Sequence, residues 1–337
     1  MWRIICVSLP RVLIIGVGSI GHRHLRCFLN TGRVTAEICE VNNDLAQDIA
    51  AQYGITTVWN SLDDAIASPP DLAVICAPAH LHIEMAITLA NHGVDILIEK
   101  PLSTSLNDID ILKSSISTAG VCCGVAYVTH QHPVIQDVKR ELDSGRFGKP
   151  LQINYVSGQH FPYYRPAYRE IYYTDRATGG GCIQDAITHS MNTAELLVGP
   201  ITKLTCDADH LALEGVTVED TVHVITRHGE IMGSLVSNQF QSPNESTFII
   251  NCEKGTIKCL MHEGRWVWHD TPETEWREGA QYDLERDDLF VKQANMFLDA
   301  REQGDLPSCT LEAAIQTLKV NLAMLESSDT HTWQTIN

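Results

Sequence analysis

The feature that most constrains the fold of this chain is the glycine-rich segment Gly16-Val17-Gly18-Ser19-Ile20-Gly21, which follows an apolar run and opens a helical pattern. In such a strand–turn–helix unit, the first glycine makes a tight turn and the second admits a pyrophosphate close to the backbone. The third lets the helix pack closely on the strand, and the amides at the helix N-terminus hold the phosphates. We predict a dinucleotide-binding turn made by Gly16, Gly18, Ser19, Ile20 and Gly21; the alternative is a purely structural glycine turn.

An acidic residue stands where a dinucleotide site needs one. Glu40 lies 19 positions after Gly21, at the end of the second predicted strand, where a carboxylate can bind both ribose hydroxyls. Its charge would repel the 2′-phosphate of NADP, and no Arg or Lys occurs in residues 41–44. The cofactor expected is therefore NAD, with NADP less favoured. The competing interpretation is that Glu40 is a solvated acid at a strand end.

The first part of the chain, from Arg11 to about Tyr127, alternates short apolar runs with helical patterns. Continuous apolar runs suit parallel strands covered on both faces, so the alternation predicts a doubly wound α/β domain. The clearest strands are Val12–Ile15, Val34–Cys39, Leu72–Cys76, Val94–Ile98 and Val121–Ala126. The helices between them are Ile20–Leu29, Asp44–Tyr53, Ile83–His92 and Leu106–Ala119.

The second part of the chain has a different pattern, in which a helix at Val134–Asp143 and a turn at residues 144–148 precede longer alternating strands. Two pairs of runs flank short turns and read as antiparallel hairpins. They are Val218–Arg227 with Glu230–Gln239, and Thr247–Cys252 with Thr256–Leu260. Helices are predicted at Cys182–Val198, Leu284–Gln303 and Leu311–Glu326. We therefore predict an α+β domain with an open, mainly antiparallel sheet.

Charge and cysteine usage limit the partners and the compartment. The formal charge of −18 opposes nucleic-acid phosphates and anionic membrane surfaces, so a small molecule is the expected partner. The 11 cysteines are scattered without a Cys-x-x-Cys pair, which fits a reducing cytoplasm. Residues 1–10 are too short an apolar run for a signal peptide, and no segment approaches a membrane span. The histidine pairs at i, i+2 lack further ligands at usable spacing, so no metal site is expected.

Further motifs, in order along the chain, resemble those of the Gfo/Idh/MocA oxidoreductase family. They are Gly16-x-Gly18-x-x-Gly21, Ala77-Pro78-x-x-x-His82, Glu99-Lys100-Pro101, Gly145-x-x-Gly148 and Gly179-Gly180-Gly181-x-x-x-Asp185-x-x-x-His189. The resemblance implies an NAD-binding Rossmann domain over residues 1–126. It also implies a substrate-binding and oligomerisation domain over residues 127–337, whose terminal helix can pack back on the first domain and whose sheet forms a homodimer or homotetramer.

The resemblance also implies the site residues. Ala77, Pro78, His82, Glu99 and Lys100 join the cofactor-binding set, although a helix-capping role for His82 stays open. Four positions depart from the family pattern: Ala79, Val128, His130 and Asn192 stand where Asn, Asn, Arg and Asp are common. These departures make it unsafe to transfer a substrate from any relative.

Lys100, Asp185 and His189 are the predicted catalytic residues. Asp185 and His189 are four apart on a predicted helix, so both should lie on one face, with Asp185 orienting the imidazole. Oxidation of an alcohol releases a hydroxyl proton, which either Lys100 or His189 could accept. The alternative is an i, i+4 pair that only supports the helix.

The aromatic and basic segment at residues 159–173 is a candidate substrate loop. Aromatic faces stack on sugar rings, and Tyr, His and Arg donate hydrogen bonds to hydroxyl groups. We predict that His160, Tyr168 and Arg169 bind a polyhydroxylated substrate, and that Arg165, Arg169 or Arg176 could receive a carboxylate or phosphate. A packed loop that contacts another subunit is an equally good interpretation.

Three functions fit these motifs. The first is hydride transfer between NAD and a hydroxyl or carbonyl carbon of a sugar, inositol or sugar derivative. The second is NAD-assisted glycoside cleavage, which releases a sugar without net NADH. The third is a non-catalytic ligand sensor, whose expected mark is loss of the catalytic lysine or histidine, and both Lys100 and His189 are present. Substrate identity, direction and stereochemistry are not predictable from the sequence.

Overall fold

Two β-sheets organise the computed structural model, which describes residues 9–272 and 275–337. The first sheet has six strands, all paired in parallel, in the order β3-β2-β1-β4-β5-β6. The strands are β1 (Arg11–Ile15), β2 (Thr35–Cys39), β3 (Val58–Trp59), β4 (Leu72–Ile75), β5 (Asp95–Ile98) and β6 (Cys123–Val125). This is the predicted doubly wound fold. The prediction that residues 1–10 are not a signal peptide concerns residues 1–8, which lie outside the described residues.

Helices cover both faces of this parallel sheet, which explains its apolar strands. Strand β4 is buried at all four positions, because neither of its faces meets solvent. The helices are α1 (Ser19–Asn30), α2 (Asn43–Tyr53), α3 (Leu62–Ile66), α4 (His82–Asn91) and α5 (Ile109–Ala119). Helix α5 begins three residues later than its apolar pattern predicted.

The second sheet has nine strands in the order β14-β13-β12-β11-β7-β10-β9-β8-β15. Both predicted hairpins are present, and the sheet is mainly antiparallel, with β7 and β10 paired in parallel at its centre. The strands are β7 (Pro150–Gly158), β8 (Lys203–Asp209), β9 (Thr221–His228), β10 (Ile231–Asn238), β11 (Glu245–Cys252), β12 (Gly255–Leu260), β13 (Arg265–His269), β14 (Arg277–Gln281) and β15 (Gln334–Thr335).

The remaining α-helices lie in the second part of the chain. They are α6 (Pro133–Asp143), α7 (Phe161–Tyr164), α8 (Thr188–Val198), α9 (Asp288–Gln303) and α10 (Leu311–Thr330). Helix α9 contributes Phe297 and Leu298 to a core shared with α1. Helix α10 buries Leu318 with the first sheet and Met324 with the second. The chain therefore returns to the first lobe after building the second.

Two of the departures from the family pattern contact each other. The Nε2 atom of His130 lies 2.6 Å from Oδ1 of Asn192, and the Nδ1 atom of His130 lies 2.7 Å from the carbonyl oxygen of Ser308. The side-chain amide nitrogen of Asn192 donates to the hydroxyl of Thr317 on α10. Burial lowers the pKa of His130, whose ring lies at this junction of the lobes.

The sequence also led to expectations about membrane-spanning helices, cysteines and metal sites. Across residues 9–272 and 275–337, no helix combines the length and hydropathy of a membrane span. Within the same ranges the cysteines are free thiols, and no cluster of three or more His, Cys, Asp or Glu side chains has the arrangement of a metal site.

Acid should destabilise this fold through His132, whose ring is buried and accepts the amide hydrogen of Val134 at the start of α6. Burial and the charge of Lys292 lower the pKa of His132 from 6.5 to about 4. As the pH falls from about 6.5 towards 4, the unfolded chain therefore binds a proton that the folded chain does not, and stability is lost. His132→Asn keeps an N-cap acceptor and should reduce this loss by on the order of 1–2 kcal/mol.

Urea unfolding at about pH 7.5 and about pH 5 measures the effect for wild type, His132→Asn and a control at the exposed His223. An unchanged pH dependence in His132→Asn would show that His132 is not the titrating group.

Candidate active site

The glycine-rich turn at the end of β1 has the shape that a dinucleotide requires. Gly16 has φ +80°, and a Cβ there would lie 3.0 Å from the carbonyl oxygen of Cys76. A Cβ on Gly21 would lie 1.8 Å from the carbonyl oxygen of Gly16, so no side chain fits there. The space beside Gly18 is open for 4 Å, and no side chain caps the N-terminus of α1. The first-turn amides of this helix are thus available to an anion.

Glu40 lies directly beside the glycine turn, just after β2. Its Oε2 accepts the amide hydrogen of Val17 at 2.9 Å, and its Oε1 accepts that of Asn42 at 2.9 Å. Each carboxylate oxygen keeps a lone pair for a further donor. The carboxylate is therefore held next to the glycine turn by two backbone amides.

The ring of His82 connects the ends of two neighbouring strands. It is buried, with Nε2 lying 2.8 Å from the carbonyl oxygen of Ala77 and Nδ1 lying 3.1 Å from that of Pro101. Burial lowers the pKa of His82. No side chain caps α4, so the capping alternative for His82 is wrong. The ring instead links the loop after β4, which contains Pro78, to the loop after β5.

Glu99 is buried between the glycine turn and Lys100. Its Oε1 lies 2.6 Å from Nε2 of His24 on α1, and its Oε2 accepts the amide hydrogen of Lys100 at 2.9 Å. Burial raises the pKa of Glu99, but the hydrogen bond and charge of His24 and the charge of Lys100 outweigh it, so this pKa is lowered. His24 was not among the predicted site residues, although its position one turn after Gly21 on the buried face of α1 was a usable signal.

Lys100 connects the two lobes. Its Nζ donates to Oδ1 of Asp185 at 3.1 Å and to the backbone carbonyl oxygen of Asp185 at 2.9 Å. The side chains of Lys100 and Asp185 are 12% and 3% exposed, respectively. Burial would raise the pKa of Asp185, but the charges of Lys100 and Arg165, with a hydrogen bond from Tyr172, hold it well below its usual value. Asp185 is therefore an ionised acceptor at the junction.

A π-helical turn at Ile183–Ile187 carries Asp185 and corrects the predicted pairing with His189. The wider turn breaks the α-helical spacing that would align residues four apart. The carboxylate of Asp185 accepts hydrogen bonds from Lys100 and from the hydroxyl of Tyr172, at 2.7 Å, and does not orient the imidazole. At the start of this turn, the backbone amide of Ile183 donates to the carboxylate of Glu219 at 3.1 Å. This hydrogen bond fixes where the turn begins.

His189 lies in the first turn of α8, with its ring edge-on to Tyr127 at 6.0 Å between centroids. Its Nδ1 atom is buried and has no hydrogen-bond partner among the described residues. Burial, followed by the charge of Lys100, lowers the pKa of His189 to about 3. The ring is therefore neutral at physiological pH and has an unused ring nitrogen.

A cavity of about 370 Å³ opens beside these residues, between α8 and the second sheet. Asp185 and His189 line it together with Arg165. Strands β7, β10 and β11 and the segment before β11 supply mainly polar walls, which include Ser157, Ser237, Asn238, Asn244 and Glu245. Such walls can bind a ligand that bears several hydroxyl groups.

The structure corrects the predicted substrate loop at two positions. Tyr168 is 1% exposed and packs in an aromatic cluster with Phe161 and Tyr173, and its hydroxyl donates to the carbonyl oxygen of Glu214. Arg169 donates to the same carbonyl from Nε. Neither residue lines the cavity. Tyr168 belongs instead to the buried apolar side that holds the segment in place.

Other residues of this segment reach the site. His160 lies between the cavity-lining residues Gln159 and Phe161 but does not itself line the cavity. Its Nδ1 atom is buried and has no hydrogen-bond partner in the described part of the chain. Arg165 and Tyr172 both contact the carboxylate of Asp185. The segment thus contributes to the site through residues other than Tyr168 and Arg169.

Family models match both lobes. Residues 10–127 match the oxidoreductase family with an NAD-binding Rossmann fold, Gfo/Idh/MocA, and residues 135–258 match the Gfo/Idh/MocA C-terminal domain.

Individual relatives are distant in sequence. A scyllo-inositol 2-dehydrogenase (NAD(+)) of Bacillus subtilis (strain 168) is 27% identical over 194 residues, which cover 56% of this chain and 54% of that protein. A levoglucosan dehydrogenase of Pseudarthrobacter phenanthrenivorans is 28% identical over 48% of this chain and 42% of its own length. The chain spans about half the length of these curated relatives. A solved levoglucosan dehydrogenase in complex with NADH and levoglucosan has the same fold, with a TM-score of 0.89 at 19% identity over 98% of this chain and 100% of that one.

Removal of the Lys100 charge should raise the pKa of His189, because that charge is one cause of its low value. In Lys100→Met the pKa should rise above about 3 and stay below 6.5, since burial remains. A ¹³C-edited NMR titration of the ring Cε1–H, with the signal assigned by its loss in His189→Asn, measures this value. Lys139→Met, which removes a surface ion pair with Asp143, is the matched control. An equal pKa in wild type and Lys100→Met would contradict the assigned coupling.

Proposed function

Because the chain belongs to the Gfo/Idh/MocA oxidoreductase family, we propose that it is an NAD-dependent dehydrogenase acting on a CH–OH group of a sugar, inositol or sugar derivative. The observation that supports this most directly is the convergence of Lys100, Asp185 and His189 beside one polar cavity. Relatives named as inositol and levoglucosan dehydrogenases support the substrate class. The polar walls of the cavity also suit a polyhydroxylated ligand.

The described residues fit NAD. The open space beside Gly18 and the uncapped amides of Ser19 and Ile20 would hold the pyrophosphate. Glu40 would accept hydrogen bonds from the ribose hydroxyls, and its charge opposes a 2′-phosphate. Ala77, Pro78 and Glu99 complete the proposed set. When bound, NAD accepts the hydride that leaves the carbinol carbon of the substrate.

The hydroxyl proton needs a separate acceptor, since the alcohol loses one hydride and one proton to become a carbonyl. His189 has a ring nitrogen without a partner among the described residues, and this nitrogen is the proposed acceptor of the proton. Lys100 is held by Asp185 and can donate a hydrogen bond to the substrate oxygen as negative charge develops there. The low pKa of His189 favours release of the proton to solvent.

We also propose that the second sheet forms the contact of a homodimer or homotetramer. One face of this sheet packs against α6, α8 and α10. The other face leaves large apolar side chains between 45% and 47% exposed, namely Val156, Ile225 and Met232. A second copy of the chain would cover them.

A panel of polyols and sugars incubated with NAD should yield NADH with at least one member, measured by absorbance at about 340 nm.

Lys100→Met should retain NAD affinity while kcat falls by about 100-fold or more, because the substrate oxygen loses a charged hydrogen-bond donor. Lys139→Met serves as the surface control. Normal turnover in Lys100→Met would remove Lys100 from the mechanism, and release of a sugar without NADH would indicate glycoside cleavage instead.

Replacement of Glu40 by Ser should narrow the preference for NAD over NADP, because the repulsion of a 2′-phosphate is lost while a hydrogen-bonding group remains. Calorimetric titration with NAD and with NADP gives the ratio of their dissociation constants directly, without turnover. Asp44→Ser, at an exposed position four residues later in the chain, is a matched removal of charge. A ratio that moves equally in both variants would argue against a ribose contact at Glu40.

A further inference from the structure

The three arginines between residues 159 and 178 differ in how fully they are paired. Arg169 donates to the carbonyl oxygen of Glu214 at 2.7 Å, and Arg176 donates to the buried carboxylate of Glu219 at 2.8 Å. Arg165 has longer contacts, with 3.5 Å from Nη1 to Oδ2 of Asp185 and a further contact with the hydroxyl of Tyr172. Its side chain is 47% exposed and lines the cavity, so most of its donors remain available.

The carboxylate of Asp185 is shared between two cations. Its Oδ1 accepts hydrogen bonds from Lys100 and from the hydroxyl of Tyr172, and its Oδ2 lies 3.5 Å from Nη1 of Arg165. The nearby carboxylate of Glu99 is engaged by His24 and by the backbone amide of Lys100. Arg165 therefore does not have a carboxylate to itself, and its guanidinium keeps donors for a further acceptor.

Packing fixes the position of this guanidinium. Its central carbon lies 5.3 Å from the ring centroid of Phe161, which is 2% exposed and part of the aromatic cluster with Tyr168 and Tyr173. A charged group stacked on a buried ring loses less freedom when it binds a ligand. The aromatic cluster thus holds Arg165 at the cavity wall.

The cavity lining also contains an acidic residue. Glu245 lines the cavity, and its carboxylate accepts hydrogen bonds only from Gln241 and Thr247 among the described residues. A carboxylate repels an anion and accepts hydrogen bonds from hydroxyl groups. The lining therefore offers a guanidinium for an anion and a carboxylate for hydroxyl groups.

We propose that the substrate is a polyhydroxylated carboxylate, an aldonate or uronate, whose carboxylate binds Arg165 while its hydroxyl chain extends towards Glu245. This inference rests on the proposed dehydrogenase function and specifies its substrate class. A planar carboxylate matches the two parallel N–H groups of a guanidinium. Among the described residues that line the cavity, Arg165 is the sole Arg or Lys, which matches a single negative charge better than a phosphate dianion.

The test compares acids with neutral molecules of the same stereochemistry. Gluconate and galactonate are paired with their alditols, and glucuronate and galacturonate with their hexoses. NADH formation with each gives kcat/KM. In wild type the best acid should exceed its neutral partner by at least about tenfold, because a charge-assisted bidentate contact is lost in the neutral compound.

Arg165→Met should lower the ratio of kcat/KM for each acid to kcat/KM for its neutral partner by about 10- to 100-fold, because only the acids lose a charged contact with the substrate. Arg165→Lys keeps the charge but loses the two parallel N–H groups of the guanidinium, so its preference for the acids should lie between those of wild type and Arg165→Met. Arg169→Met is the matched control, since Arg169 lies in the same segment but outside the cavity, and it should leave the preference unchanged. Circular dichroism and thermal unfolding establish that each variant is folded.

Calorimetric titration of gluconate and of its alditol into wild type and Arg165→Met, both with NAD, answers the question independently of turnover. A wild type that prefers the neutral partners, or an Arg165→Met that weakens both classes equally, overturns the carboxylate assignment. A preference for hexose phosphates over the acids also overturns it. Oxidation of neutral sugars alone would leave the proposed dehydrogenase intact, whereas absence of NADH with every compound would count against the dehydrogenase itself.

Discussion

The ion pair between Lys100 and Asp185 is the interaction on which the site depends, because it joins the edge of the parallel sheet to the second lobe. Both groups are largely removed from water, so their charges are costly unless each is compensated. Compensation comes from the hydroxyl of Tyr172 and from the backbone carbonyl that Lys100 also contacts. Loss of either partner would leave a buried charge, which ties the relative placement of the lobes to the integrity of the site.

Much of the fold was predictable because its signals are local. The glycine turn and the alternation of apolar runs with helical patterns predicted the doubly wound sheet, and short turns between alternating runs predicted both hairpins. The parallel pairing of β7 with β10 at the centre of the second sheet was not predicted. Those strands are separated by some 70 residues, and no turn sequence specifies which distant strands become neighbours.

The site was predictable in composition and less so in geometry. Motifs identified Lys100, Asp185 and His189, but the expected contact between the last two assumed α-helical spacing, which the π-helical turn removes. Tyr168 shows the second limit, since an aromatic residue that could bind a sugar is equally able to fill a core, and only packing decides between the two. His24 was missed because its partner Glu99 is 75 positions away in the chain.

The path of α10 has a consequence for how the molecule moves. This helix buries its first half with one sheet and its second half with the other, so a hinge between the lobes would have to bend or slide a continuous rod. Bending such a rod breaks backbone hydrogen bonds and exposes apolar surface on both sides at once. The lobes should therefore behave as one cooperative block.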